Sequence, residues 1–151
     1  MLTADFVRTI EATAHCLNAG QMEWMMFGGA AMILHGFDIP PAKDIDIIVS
    51  GGTAARLMDE LSLVNYANPE SQLFRSDYLL RPKFGPVPVE ILGNFRIWIG
   101  QAWHPVRVAQ VVEVKIESQR VFVPELNDLA SIFDLSGRPK DVIRSAMIRS
   151  R

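Results

Sequence analysis

Residues 27–50 read FGGAAMILHGFDIPPAKDIDIIVS, and this stretch decides the fold. The apolar run from Glu23 to Phe27 ends at Gly28-Gly29 and predicts a short buried strand. Ala30 to His35 predicts a short helix closed by Gly36. Ile39-Pro40-Pro41 cannot lie inside a helix, because a proline lacks the N–H and its ring clashes with the preceding turn. Ile45 to Val49 is β-branched at every position but Asp46, which predicts a second strand. A strand that breaks at two glycines into a helix is thus followed, across a loop, by Asp44-Ile45-Asp46 at the mouth of another strand.

Side chains alternate along a strand, so Asp44 and Asp46 share a face with Cα atoms roughly 6–7 Å apart. Aspartate is disfavoured in strands, so two on one face of an apolar strand call for a reason. A pair of carboxylates held this way can chelate a divalent cation, and hard oxygen donors select Mg²⁺ or Mn²⁺. Gly28-Gly29 permits positive φ and lets a ligand come close to the backbone. A strand-Gly-Gly-helix junction turns free N–H groups toward an anion. The plain structural alternatives are exposed turn acids and a tight packing turn.

Outward from this stretch, Thr3 caps an N-terminal helix on which Phe6, Ile10, Ala14 and Leu17 form one stripe. Asn18-Ala19-Gly20 ends it. After Val49, Gly51-Gly52-Thr53 is expected to turn into a helix over Ala54 to Leu63, with Thr53 as the cap. The second half reads as strands at Tyr78 to Phe84, Val87 to Leu92, Val106 to Val112 and Arg120 to Val123. Pro86 and Pro88 push the second of these to start late or lie at an edge. Trp98 and Trp103 flank Gly100 in a strand-and-turn region. Pro124 opens a helix to about Leu135, Gly137 ends it, and Pro139 begins the last helix. The order predicts an α+β fold, a mixed sheet with helices packed on it and a C-terminal helical pair over about 124–151, in one domain spanning 1–151.

Composition narrows the classes. With 151 residues, 49% hydrophobic and 21% charged, the chain can bury a core. A net charge of −2 and a pI of about 5.9 argue against a surface given over wholly to nucleic acid. The single cysteine, Cys16, excludes an internal disulfide framework and fits a reducing, cytoplasmic setting. The longest apolar run, Trp24 to Leu34, is about half of what a membrane helix needs, and the acidic and basic residues Asp5, Arg8 and Glu11 make the N-terminus unlike a signal peptide. His15, His35 and His104 show no zinc spacing. From Arg138 to Arg151 there are five basic residues against one acid, Asp141. Such a tail suits either a helix C-terminus or a phosphate-binding face.

The Gly28-Gly29 turn followed by Asp44-Ile45-Asp46 resembles the nucleotidyltransferase fold of the DNA polymerase beta superfamily. Val89-Glu90-Ile91-Leu92 matches the third carboxylate of those proteins, one acid amid apolar β formers. Gly137-Arg138-Pro139-Lys140-Asp141 is similar to the tail of small bacterial nucleotidyltransferases of the AbiEii toxin type. The resemblance implies that Asp44, Asp46 and Glu90 hold Mg²⁺ or Mn²⁺ and carry catalysis. It implies that Gly28, Gly29 and Lys43 meet the phosphates of an NTP such as ATP, with Arg138 and Lys140 replacing basic residues lost elsewhere. The reaction implied moves a nucleoside monophosphate to an acceptor hydroxyl on RNA, protein or a small molecule, without a membrane partner. Relatives read Arg-x-Thr-Lys-Asp-Ile-Asp where this chain has Pro40-Pro41-Ala42-Lys43-Asp44-Ile45-Asp46. A lysine of their penultimate helix falls at Phe133. These departures leave two alternatives: a catalytically degenerate protein that binds a nucleotide or a partner, or the toxin of a toxin–antitoxin pair with an antitoxin partner.

Overall fold

The computed structural model describes residues 2–151. Helix α1 spans Ala4–Ala19, and the Thr3 hydroxyl caps it by accepting the Phe6 N–H at 3.2 Å. Its stripe of Phe6, Ile10, Ala14 and Leu17 is buried in the core, as the spacing predicts. Strand β1 (Met25–Phe27) runs straight into helix α2 (Gly28–Leu34), and strand β2 is Ile45–Val49. Helix α3 is Gly51–Glu60. Its cap is Ser50 and not Thr53: Ser50 Oγ accepts the Thr53 N–H at 3.1 Å. Helix α3 therefore begins a few residues earlier than expected, since a serine one turn upstream satisfies the same free N–H groups.

The later strands are β3 (Phe74–Arg75), β4 (Tyr78–Leu80), β5 (Val89–Gly93), β6 (Arg96–Ile99), β7 (Ala102–Pro105), β8 (Val111–Ile116) and β9 (Gln119–Pro124). Helix α4 is Leu126–Ser136 and α5 is Pro139–Arg149. Pro124 closes β9 rather than opening a helix; Glu125 caps α4 by accepting the Asn127 N–H at 2.9 Å. Gly137 ends α4 and Pro139 begins α5, both as expected.

The expected strand at Val106 to Val112 is a correction. Only Val111 and Val112 belong to a strand, and that strand runs on to Ile116. Upstream, the Ala109 and Gln110 N–H groups both donate to the Asp128 carboxylate at 3.0 Å, so they are satisfied without a ladder. Val106 and Val108 pack on the core from this loop. The expected strand at Tyr78 to Phe84 is likewise cut to three residues.

The main sheet has the order β1-β2-β5-β4. Strand β2 is antiparallel to β1 and parallel to β5, and β4 runs antiparallel to β5. The sheet is therefore mixed and the fold is α+β, with β3-β6-β7 and the β8-β9 hairpin as smaller sheets. On β2, Ile45, Ile47, Ile48 and Val49 are buried, which leaves Asp46 as the half-buried polar member of the strand. Among the described residues, no helix is long and apolar enough to cross a membrane.

Candidate active site

One row of the sheet organises the site. Phe27 stands opposite Asp46 across β1–β2, and Asp46 stands opposite Glu90 across β2–β5. Asp44 lies two residues before Asp46, immediately ahead of β2, so alternation turns both carboxylates the same way. The outcome is that Asp44, Asp46 and Glu90 each offer an oxygen, and these oxygens lie within 4.8 Å of one another. Among the described residues this is the one His/Cys/Asp/Glu group so arranged.

The chain turns at Gly28, one residue beyond Phe27 in that row. Its φ is 69°, a conformation that costs a residue with a Cβ. A Cβ there would also stand 3.6 Å from Asp46 Oδ2. Gly28 thus lets the backbone pass close to the acids. At Gly29 a Cβ would meet Arg144 Nη2 at 3.1 Å, so a guanidinium reaches in over this turn.

These residues line a cleft of about 670 Å³. One wall is Gly28, Gly29 and the loop from Ile39 to Asp44, including Lys43; the other comes from α5 and its lead-in, with Arg138, Lys140 and Arg144. Every residue that the sequence nominates for the site lies in this cleft, with cations facing carboxylates. Pro40 and Ala42 line the same wall and contribute no basic group. Phe133 is 1% exposed and packs on Phe27 with ring centroids 6.0 Å apart, so it is a core residue and not a vacant lysine position open to the cleft.

Burial pushes the Asp46 carboxyl up to about 7, and the neighbouring Asp44 and Glu90 charges push the same way; Arg138 and Lys140 oppose them. Glu90 is less enclosed: its carboxylate faces Arg81 at 3.8 Å across a solvent-exposed gap. Three crowded hard-oxygen donors, one of them made harder to ionise by burial and by its two neighbours, are the chemistry a small divalent cation satisfies. The donor set therefore fits Mg²⁺ or Mn²⁺.

Sequence reading counted Arg144 only as part of a basic tail. The structure ties it to Asp141, a carboxylate only 1% exposed. Asp141 accepts from Arg138 Nε at 2.7 Å and Arg144 Nη1 at 3.3 Å, and from the Ser136 hydroxyl. The Arg138, Asp141, Arg144 spacing, three residues at each step along one helix face, was the available signal. His35 closes α2, with Nε2 at 2.7 Å from the Pro124 carbonyl. Burial raises the Cys16 thiol above its ordinary value. Trp98 and Trp103 pack together with centroids 5.2 Å apart, on a strand pair away from the cleft.

No family model and no curated protein matches this sequence. Solved structures do. A nucleotidyltransferase candidate from Thermotoga maritima, TM1012, superposes with a TM-score of 0.77 at 18% identity, over 99% of this chain and 94% of its own. The antibiotic-resistance factor ANT(2'')-Ia, solved in complex with adenylyl-2''-tobramycin, gives 0.57 at 14% identity over 94% and 86%. The lincosamide antibiotic adenylyltransferase LnuA, bound to lincomycin, gives 0.60 at 11% identity over 94% and 95%. Superposition over nearly the full length of this chain and most of each neighbour gives the chain the nucleotidyltransferase fold.

Proposed function

We propose that the chain is a metal-dependent nucleotidyltransferase that moves a nucleoside monophosphate from an NTP to an acceptor hydroxyl. The observation that carries this reading is the convergence of Asp44, Asp46 and Glu90 from neighbouring strands onto one cleft whose facing wall is cationic. The acceptor oxygen bonds to the α-phosphorus. The bond from that phosphorus to the bridging oxygen breaks, and pyrophosphate leaves. Glu90, half-buried beside Arg81, is the residue we assign to take the hydroxyl proton. Lys43, Arg138 and Lys140 meet the triphosphate, and Gly28-Gly29 leaves room for it beside the backbone. Asp44, Asp46 and Glu90 would hold Mg²⁺ or Mn²⁺, which when bound would neutralise charge at the phosphate oxygens and lower the pKa of the acceptor hydroxyl. The rest of the catalysis is positioning.

A donor of the ATP type and a small hydroxylated acceptor draw support from the adenylyl-tobramycin and lincomycin complexes of the two antibiotic-modifying neighbours. RNA and protein acceptors belong in the same test. Purified protein is incubated with each α-labelled NTP, Mg²⁺ or Mn²⁺, and a panel of aminoglycoside, lincosamide, tRNA and extract acceptors. Label transfer that disappears in Asp44→Ala and Asp46→Asn is the expected result. Absence of transfer together with absence of Mg–NTP binding by calorimetry would overturn it.

A second reading has one specific observation in its favour: Pro40 and Ala42 leave the glycine-side wall with Lys43 as its single basic residue. On that reading the cleft binds nucleotide without turnover. Nucleotide binding that persists without metal and in Asp44→Ala decides for it.

A further inference from the structure

We infer that Arg144 is a donor-phosphate ligand and that the buried Asp141 is its positioning residue, forming with Arg138 a two-arginine clamp over the Gly28-Gly29 turn. The inference rests on the nucleotidyl-transfer reading and deepens it. A carboxylate 1% exposed is costly to bury unless cations and hydrogen bonds satisfy it, and removing one partner of such a group is strongly unfavourable. Asp141 has two arginines and a hydroxyl: Arg138 Nε on Oδ2, Arg144 Nη1 on Oδ1, and Ser136 Oγ on Oδ2. Each arginine spends one nitrogen on Asp141. No hydrogen bond to a described residue uses their remaining guanidinium nitrogens.

Both guanidinium groups are also fixed by aromatic rings. Arg138 Cζ lies 4.6 Å from the Phe74 ring centroid, and Arg144 Cζ lies 5.7 Å from that of Phe133. Phe133 therefore serves as a floor for a cation brought from α5. The Nη2 of Arg144 lies over Gly29, 3.1 Å from the position of a Cβ there. Both side chains stay open to the cleft, at 36% and 26% exposure for Arg138 and Arg144. A planar guanidinium with two nitrogens left to donate and an aromatic ring beneath it is preorganised for a phosphate oxygen pair. Arg144 thereby supplies, from the α5 wall, a positive charge that Pro40 and Ala42 on the facing wall do not.

The test is equilibrium binding of the α,β-methylene analogue of ATP, of AMP and of inorganic tripolyphosphate, each with Mg²⁺, by calorimetry. For Arg144→Ala the affinity for the ATP analogue and tripolyphosphate should fall by about tenfold or more, the scale of one charge-assisted hydrogen bond. AMP, lacking the β- and γ-phosphates, should lose less than about threefold. Asp141→Asn should reproduce that pattern, and Arg144→Lys should recover part of the loss. A side chain that only held α5 in place would weaken all three ligands alike. Should Asp141→Asn fail to fold, Arg144→Ala and Arg144→Lys carry the test, since Arg144 reaches solvent. An unchanged ratio of ATP-analogue to AMP affinity in Arg144→Ala overturns the clamp alone. Failure of the unmutated protein to bind any of the three overturns the nucleotide reading, and the clamp with it.

Discussion

Asp46 and Glu90 are direct partners across the parallel pairing of β2 with β5, while Asp46 and Asp44 are alternate residues of one chain segment. Asp46 is therefore the acid that adjoins both others, and burial together with those two charges pushes its carboxyl up to about 7.

This fixes a pH dependence. The unfolded chain releases the Asp46 proton near its ordinary value of 3.8, whereas the folded chain holds it to about 7. Between those values the folded state binds more protons, so the metal-free protein loses stability as the pH rises from about 4 to about 7 and levels off above that. Denaturant melts from pH 5 to pH 8 should show that decline, and Asp46→Asn should flatten it. The groups facing this carboxyl are Asp44, Glu90, Arg138 and Lys140. A carboxyl resonance titrating near pH 7 in the unmutated protein is the direct check; an Asp46 resonance titrating near 4 contradicts it.

Metal should reverse the repulsion. Mn²⁺ at about 100 times its dissociation constant adds about 2.7 kcal/mol, or roughly 5–10 °C in Tm for a chain of this size. Glu90→Gln removes one negative charge, so it should leave the metal-free protein a few tenths of a kcal/mol more stable. The same change should cut the Mn²⁺ shift by half or more. Thermal melts with and without Mn²⁺ measure both; an intact shift in Glu90→Gln makes Glu90 a strand residue only.

Gly28→Ala puts a Cβ at φ 69° and 3.6 Å from Asp46 Oδ2. The backbone term alone costs about 1–2 kcal/mol. We expect that loss in denaturant unfolding together with a Mn²⁺-induced shift reduced beyond what stability explains. Gly36→Ala, also at positive φ but on the far end of α2, controls for backbone strain.

Phe133→Ala should cost roughly 3–5 kcal/mol through the cavity it leaves beside Phe27. Phe133→Lys should cost at least as much and bring no gain in ATP affinity, because the position points into the core. Chemical denaturation and calorimetry together check this. A gain in affinity would show that the side chain reaches the cleft.

The sequence declares an element where one local signal decides it. The Phe6 to Leu17 stripe marks α1, and the isoleucine-rich Ile45 to Val49 marks β2 with the right ends. Around Gly100 the sequence marks a strand-and-turn region but not the bounds of the hairpin Arg96 to Pro105, and the two residues of β3 are held by pairing with β6, which no local pattern announces. Val106 to Val112 looks like a strand because its valines pack on the core, yet Asp128, brought in by α4, takes its N–H groups. The same division holds for the site. The Gly28-Gly29 and Asp44-x-Asp46 signals sit in one short stretch. Glu90 needed a resemblance to find it. Arg144 escaped notice because its role depends on α5 folding back so that Asp141 is buried.

The pairing of Asp46 with Glu90 also bears on the order of events in folding. Helix α3 and strands β3 and β4 all lie between the two acids along the chain, so the acids meet only after a long loop has closed. Until then the chain offers a cation just the adjacent pair, Asp44 and Asp46. A metal that needs all three acids grips the finished structure and has little hold on the transition state. Mn²⁺ should therefore slow unfolding much more than it speeds refolding, and the protein would keep its cation as a latch set after closure rather than as a seed for it.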